Sequence, residues 1–148
     1  MNRTRMAERS RTILWCIALP VFATGCATPS EPPPPPNGGQ TPNMDFALFA
    51  STVEPVLQQK GCDAGGDCHG GGIRGSLARS PAGAKDVQFD FTQVSRQVSI
   101  ANPDGSPILT EPLALAAGGT PHPYKPFATT ADSEYVAIRM WVENGTQP

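Results

Sequence analysis

The sequence contains little charge, few aromatic residues and no apolar run long enough to cross a membrane. Only 16% of its 148 residues are charged and 7% are aromatic. The apolar stretch ILWCIALPVFA, residues 13–23, is about half as long as the roughly 20 residues that a membrane-spanning helix needs. The chain length excludes a doubly wound enzyme, a barrel or a large repeat array, and leaves room for one small domain.

Basic charge is also scarce once the N-terminus is set apart. Residues 1–25 hold four arginines and one acid, so the remaining 123 residues carry 7 basic and 12 acidic groups. The mature protein is therefore expected to be acidic, which argues against nucleic acid as a partner.

The N-terminus resembles a bacterial lipoprotein signal. A basic start and the apolar run are followed by Ala23-Thr24-Gly25-Cys26, which resembles a lipobox. The resemblance implies that residues 1–25 are a signal peptide and that Cys26 is lipidated and becomes the first residue of the mature protein. It also implies export, and Ala27 favours the outer membrane, facing the periplasm or the cell surface. The alternative is ordinary cleavage that leaves Cys26 as a free thiol.

Proline is abundant just after this signal. Seven of the 17 prolines lie within residues 26–43, five of them consecutive at 32–36, and Gly38-Gly39 follow. Consecutive prolines favour an extended polyproline helix, and paired glycines add a flexible joint. We therefore predict a disordered Pro-rich linker over 26–43 and a folded domain over 44–148.

The first helical pattern lies directly after the linker. Asn43 is its candidate N-cap, Gly61 its candidate stop, and Pro55 is expected to kink the helix or split it in two. The apolar residues that recur at helical spacing are Phe46, Phe49, Val53, Val56 and Leu57.

The last helical pattern is the clearest. Asp132 or Thr130 is the candidate cap, and Asn144-Gly145 are predicted to end the helix. Its apolar stripe, interpreted as core, consists of Tyr135, Ile138, Trp141 and Val142.

The chain between these two helices is irregular in pattern. Apolar and polar residues alternate over residues 87–91, which predicts a short strand or extended segment. Ser106-Pro107 predicts the start of a short helix, and residues 116–130, rich in Gly and Pro, predict a loop. The expected fold is therefore mostly α, a small domain with helices at both ends and an irregular middle.

Two thiols and an imidazole lie close together in the middle of the chain. Five residues separate Cys62 from Cys68, and His69 follows directly. Two thiols can add to the two vinyl groups of haem, and an adjacent histidine can then reach the iron. The usual spacing is C-x-x-C-H. The extra residues here include Gly65-Gly66, which would allow the loop to bulge outward while Cys62 folds back.

With these motifs the chain resembles the short cytochrome-c-like domains of exported bacterial lipoproteins, here with a divergent C-x5-C-H haem c motif. Those domains share an F-x-x-x-V-x-P-(I/L/V)-L start, a C-H-G segment, a P-x-x-S-x-(I/L)-L-x-x-P-L segment and a final Y-x-x-(I/L)-x-x-W-(I/V)-x-x-G helix. The resemblance covers nearly all of residues 46–145. The matching residues are Phe49, Val53, Pro55, Val56, Leu57, Cys62, Cys68, His69, Gly70, Pro103, Ser106, Ile108, Leu109, Pro112, Leu113, Tyr135, Ile138, Trp141, Val142 and Gly145.

The resemblance implies a membrane-tethered electron carrier with redox proteins as partners. Cys62 and Cys68 would hold one haem c, and His69 would bind the iron. A second axial ligand would come from the loop before the last helix, where His122 lies between two prolines. Met140 is the weaker candidate, because its position in the last helix is explained by core packing.

The same residue types suggest three other interpretations. A haem-free binding or structural lipoprotein module of the same fold would close a Cys62–Cys68 disulfide, which export permits. A zinc site would use Cys62, Cys68, His69 and His122, but the cysteine spacing exceeds that of usual zinc sites. A hydrolase is not supported, because no nucleophile-elbow motif surrounds Ser106. We therefore expect an electron carrier or binding module and no enzyme.

Overall fold

A computed structural model describes residues 41–65 and 68–148, which fall within one compact unit. The predicted signal peptide, the predicted lipidation site Cys26 and the linker up to residue 40 lie outside the described residues. In the described part, helices are the regular secondary structure, and β pairing is limited to isolated bridges. The prediction of a small, mostly α domain is confirmed.

The helical elements are short except for two. The α-helices are α1 (Phe46–Leu48), α2 (Glu54–Gln59), α3 (Val87–Ser95), α4 (Pro107–Thr110) and α5 (Ser133–Glu143). A π-helical segment, Phe49–Val53, joins α1 to α2, and 3₁₀ turns lie at His69–Gly71, Pro103–Gly105 and Leu115–Ala117.

The N-terminal helix continues through Pro55 instead of breaking there. Proline has no N–H to donate, and its ring obstructs the carbonyl one turn earlier. The preceding turn is widened to a π-helix, in which the Glu54 N–H donates to the Phe49 carbonyl. The predicted split is thus a local widening, and the helix ends before Gly61, whose φ of +70° suits glycine.

The cap of this helix differs from the prediction. Asp45 caps it, because its carboxylate accepts a hydrogen bond from the Leu48 N–H at 2.9 Å. Asn43 instead pairs with Thr146 in an antiparallel bridge, with N–O distances of 3.0 Å in both directions. This bridge joins the two ends of the domain.

Residues 87–91 are helical, so the prediction of a strand there is wrong. α3 begins after Asp86, whose carboxylate accepts a hydrogen bond from the Phe89 N–H at 2.9 Å, a typical N-cap. Asp90 and Val94 face the interior and are fully buried, whereas Phe89 is 39% exposed. The alternation predicted the wrong structure because Asp90, which is polar, is buried, whereas Phe89, which is apolar, is partly exposed.

α5 supplies the centre of the core, as its apolar stripe predicts. Trp141 is fully buried against Phe49, with ring centroids 5.3 Å apart, and its Nε1 donates to the Asp45 carbonyl at 2.9 Å. The helix ends at Asn144 as predicted. Asp132 occupies the N-cap position, but its carboxylate accepts hydrogen bonds from the preceding loop and not from the helix.

Candidate functional site

The four predicted site residues of the folded domain line one cavity. Its volume is about 460 Å³, within the range of roughly 300–1,000 Å³ that is typical of cofactor and small-molecule sites. Cys62, Cys68, His69 and His122 all contribute to its wall. The rest of the lining is largely apolar and rich in proline, with Leu57, Leu77, Ile108, Pro107, Pro112, Pro121, Pro123 and Pro126.

The turn after α2 brings Cys62 to His69. The Cys62 N–H donates to the Leu57 carbonyl at 3.0 Å, and the His69 N–H donates to the Cys62 carbonyl at 3.2 Å. The backbone therefore closes a loop between the first cysteine and the histidine. Two residues inside that loop, Gly66 and Asp67, lie outside the described residues.

Gly70 allows this closure. A Cβ atom at this position would lie 1.8 Å from the Asp63 carbonyl oxygen. The Gly70 N–H also donates to the Ala64 carbonyl at 3.2 Å. Only glycine permits the chain after His69 to approach so closely, which gives the Cys-His-Gly sequence a steric reason.

The rings of His69 and His122 lie next to each other in the cavity wall. Their planes differ by 15° and their centroids are 6.1 Å apart. When two imidazoles bind one metal ion from opposite sides, with nitrogens about 2 Å from the ion and about 1 Å from the ring centres, the ring centres lie roughly 6 Å apart. The two rings are thus spaced as ligands of one iron would be.

Backbone carbonyls orient both rings through the same nitrogen. Nδ1 of His69 lies 3.1 Å from the Leu77 carbonyl, and Nδ1 of His122 lies 2.7 Å from the Tyr124 carbonyl. The Tyr124 N–H also approaches His122 Nδ1, at the longer distance of 3.3 Å. Because a carbonyl only accepts, the carbonyl contacts assign Nδ1 as the donor in each ring and leave the lone pair on Nε2. For His122 this assignment follows the 2.7 Å contact with the Tyr124 carbonyl rather than the 3.3 Å contact with the Tyr124 N–H, which would need Nδ1 as an acceptor. Metal-binding histidines have this arrangement.

Burial shifts the pKa of two side chains in the cavity wall, His69 and Cys62. It lowers the pKa of His69 below its ordinary value, although the Leu77 carbonyl opposes this effect, so the ring is neutral at pH 7. Burial also raises the pKa of the Cys62 thiol to about 11, despite the nearby positive charge of Arg79. Cys62 and Cys68 are both free thiols in this structure.

A mostly buried ionic cluster lies beside the cavity. Lys85 Nζ contacts Asp90 at 2.6 Å, Glu54 at 2.9 Å and Asp63 at 3.2 Å. Arg79 pairs with Glu54 and lies 3.3 Å from Asp90. These contacts join α2, the turn that follows Cys62, and α3. The sequence analysis did not predict this cluster. The one feature of the sequence that could have indicated it is the charged residue Glu54 within an apolar helical pattern.

Arg79 connects this cluster to the cavity. It is 2% exposed and lines the cavity wall, and its backbone N–H donates to the His69 carbonyl at 3.0 Å. Its Nε and Nη1 are buried and have no hydrogen-bond partner among the described residues. Leaving such donors unpaired costs about 1–3 kcal/mol.

Two of the weaker candidates fit the structure less well. Met140 is 57% exposed and does not line the cavity. Its side chain is therefore neither packed in the core, as predicted, nor placed to bind an iron in the cavity. For zinc, no group of three or more His, Cys, Asp or Glu side chains within residues 41–65 and 68–148 is arranged to hold a metal ion.

Comparisons with protein families, curated proteins and solved structures found no match to this chain. The resemblance to cytochrome-c-like domains therefore rests on the sequence motifs alone. In the part of the chain that the structure describes, no helix combines the length and apolar character needed to cross a bilayer.

Proposed function

We propose that this protein is a membrane-tethered, c-type cytochrome-like electron carrier with one covalently bound haem. The observation that carries the proposal is the His69–His122 pair, with ring centroids 6.1 Å apart, in a cavity that both cysteines also line. Cys62 and Cys68 would form thioethers with the vinyl groups, and the two histidines would bind the iron.

Haem held in this way supplies reversible one-electron transfer. Two imidazole ligands favour a lower reduction potential than one imidazole and one methionine, because thioether ligation raises the potential. The Leu77 and Tyr124 carbonyls fix the orientation of both rings, which keeps Nε2 available in each. The apolar, proline-rich wall would lower the polarity around a bound haem. Electron exchange with other redox proteins, without turnover of a substrate, is the function proposed.

The spectrum and intact mass of the full-length protein test the haem assignment, when it is produced with the machinery that attaches haem. We expect a Soret band that survives acid-acetone extraction and a mass increase of about one haem. The double variant Cys62→Ser, Cys68→Ser should lose the extraction-resistant band, whereas the control Cys16→Ser should keep it, because Cys16 lies in the apolar run of the signal peptide.

A colourless protein, lighter by two hydrogens than its reduced form, would contradict this proposal. That result would support the alternative, a haem-free binding or structural module closed by a Cys62–Cys68 disulfide. The positions of both cysteines in one cavity wall are compatible with either bond.

We further propose that the domain is exported and held at the outer membrane through lipid on Cys26, on the support of the lipobox-like residues 23–26. Cys26→Ser should move the protein from the membrane fraction to the soluble exported fraction, because this cysteine is the anchor that the sequence offers. Cell fractionation with immunodetection measures the shift, and Cys16→Ser is the matched control. Membrane association that persists in Cys26→Ser would rule out the lipid anchor.

A further inference from the structure

The loop that carries His122 is fixed mainly at its two ends. Thr120 donates its N–H to the Thr110 carbonyl at 2.9 Å, and Phe127 donates its N–H to the Pro112 carbonyl at 3.2 Å. Between these two points, the prolines on both sides of His122 have no N–H to donate. The backbone around the histidine therefore contributes little to holding its own position.

The side chain of Lys125 bridges this part of the loop to the rest of the domain. Its Nζ donates to the Glu111 carbonyl at 2.7 Å and to the Thr120 carbonyl within the loop. Glu111 is the C-cap of α4, where the last carbonyls of a helix lack intrahelical donors and accept readily from lysine. One ammonium group thus ties the loop to the end of α4.

We propose that Lys125 is a positioning residue, which holds the loop in the conformation that places the His122 ring beside the His69 ring. Both of its hydrogen bonds are charge-assisted and therefore stronger than bonds between neutral groups. Without them, conformations in which His122 lies away from His69 become populated. The consequence for iron binding rests on the proposed function, whereas the effect on the loop does not.

The test compares Lys125→Met, Lys125→Arg and Arg96→Met in the full-length protein. Methionine keeps much of the side-chain length but cannot donate, and arginine can still donate to two carbonyls. Arg96 is exposed at the C-cap of α3, so its substitution removes one positive charge away from these hydrogen bonds. Amide hydrogen exchange at Thr120 and Phe127 should be at least about tenfold faster in Lys125→Met than in Arg96→Met. Lys125→Arg should restore slow exchange.

The haem-loaded protein provides a second readout. Lys125→Met should show a high-spin fraction and bind added imidazole at least about tenfold more tightly than Arg96→Met, because imidazole competes with a less firmly held His122. A residue that only stabilised the fold would change the melting temperature and leave the imidazole affinity unchanged. Lys125→Arg should return both properties to those of the wild type.

Unchanged exchange at Thr120 in Lys125→Met overturns the proposal, whether or not haem is attached. Faster exchange with an unchanged spin state and imidazole affinity overturns the positioning role at the iron. If the wild type carries no haem, the proposed function fails, and the exchange rates alone decide whether Lys125 positions the loop.

Discussion

Replacing His122 with alanine should convert a low-spin haem into one with an open coordination site. His122 shares the cavity with His69, and its ring is oriented by the Tyr124 carbonyl. If the proposed haem is bound, removal of His122 would leave one imidazole ligand, and both cysteines would still hold the haem. The visible and electron paramagnetic resonance spectra should become high-spin, and the reduction potential should shift as water enters the vacated position. Added imidazole should restore the low-spin spectrum.

The matched control for this variant is Met140→Ala. Met140 is the other ligand candidate before or within the last helix, and its side chain is exposed and away from the cavity wall, so its removal should leave the spectrum unchanged. If His122→Ala stays low-spin with the wild-type potential, His122 does not bind the iron. Conversion to high-spin in Met140→Ala instead would identify methionine as the ligand.

The chemistry of the site residues made them recognisable in the sequence. Cys62, Cys68 and His69 combine thiols and imidazole within eight positions, and haem attachment is a specific use of such a combination. His122 lies in the loop before the last helix, where the resemblance implies a second ligand, and the structure places all four residues in one cavity wall. The 6.1 Å ring separation was beyond sequence reasoning, because it depends on how the loop folds back across the domain.

The helices at the two ends of the domain could also be predicted from the sequence, since Trp141 and Phe49 belong to apolar patterns with helical period. α3 could not be predicted in this way, because one of its interior positions is Asp90, whose burial depends on hydrogen bonds with Ser80 and ion pairs with Lys85 and Arg79. These partners lie 5 to 11 positions away in an irregular segment, and no periodic pattern relates them. Tertiary contacts thus place Asp90 in the interior, whereas its polarity alone predicts an exposed position.

Asp90→Asn should be among the most destabilising substitutions in the domain. The carboxylate is fully buried and accepts hydrogen bonds from the Ser80 N–H at 2.5 Å, the Ser80 hydroxyl at 2.8 Å and Lys85 at 2.6 Å. Asparagine offers one acceptor oxygen where Asp90 offers two, so buried donors of Lys85 or Ser80 lose their acceptor at a cost of about 1–3 kcal/mol for each, whereas Arg79 keeps its pair with Glu54. Denaturant unfolding should show a loss of this size, a large share of the roughly 5–15 kcal/mol typical of small domains.

Asp104→Asn is the matched control for the loss of one carboxylate charge. Asp104 pairs with Arg139 at 3.0 Å, but its side chain is 68% exposed, and exposed ion pairs contribute about 0–1 kcal/mol. If Asp90→Asn unfolds no more readily than Asp104→Asn, the ionic cluster does not support the domain.

Acid should reproduce the Asp90→Asn defect in the wild type. Burial alone would raise the pKa of Asp90, but hydrogen bonds from Lys85 and Ser80 outweigh it and hold the pKa below its ordinary value of 3.8. A carboxyl whose pKa is lower in the folded than in the unfolded state contributes stability above its unfolded pKa, and this stability is lost as the pH falls through its folded pKa. The difference in unfolding free energy between wild type and Asp90→Asn should therefore be full above about pH 5 and shrink below about pH 4. A difference that stays constant down to acid unfolding would show that the charge of Asp90 is not what stabilises α3 against the rest of the domain.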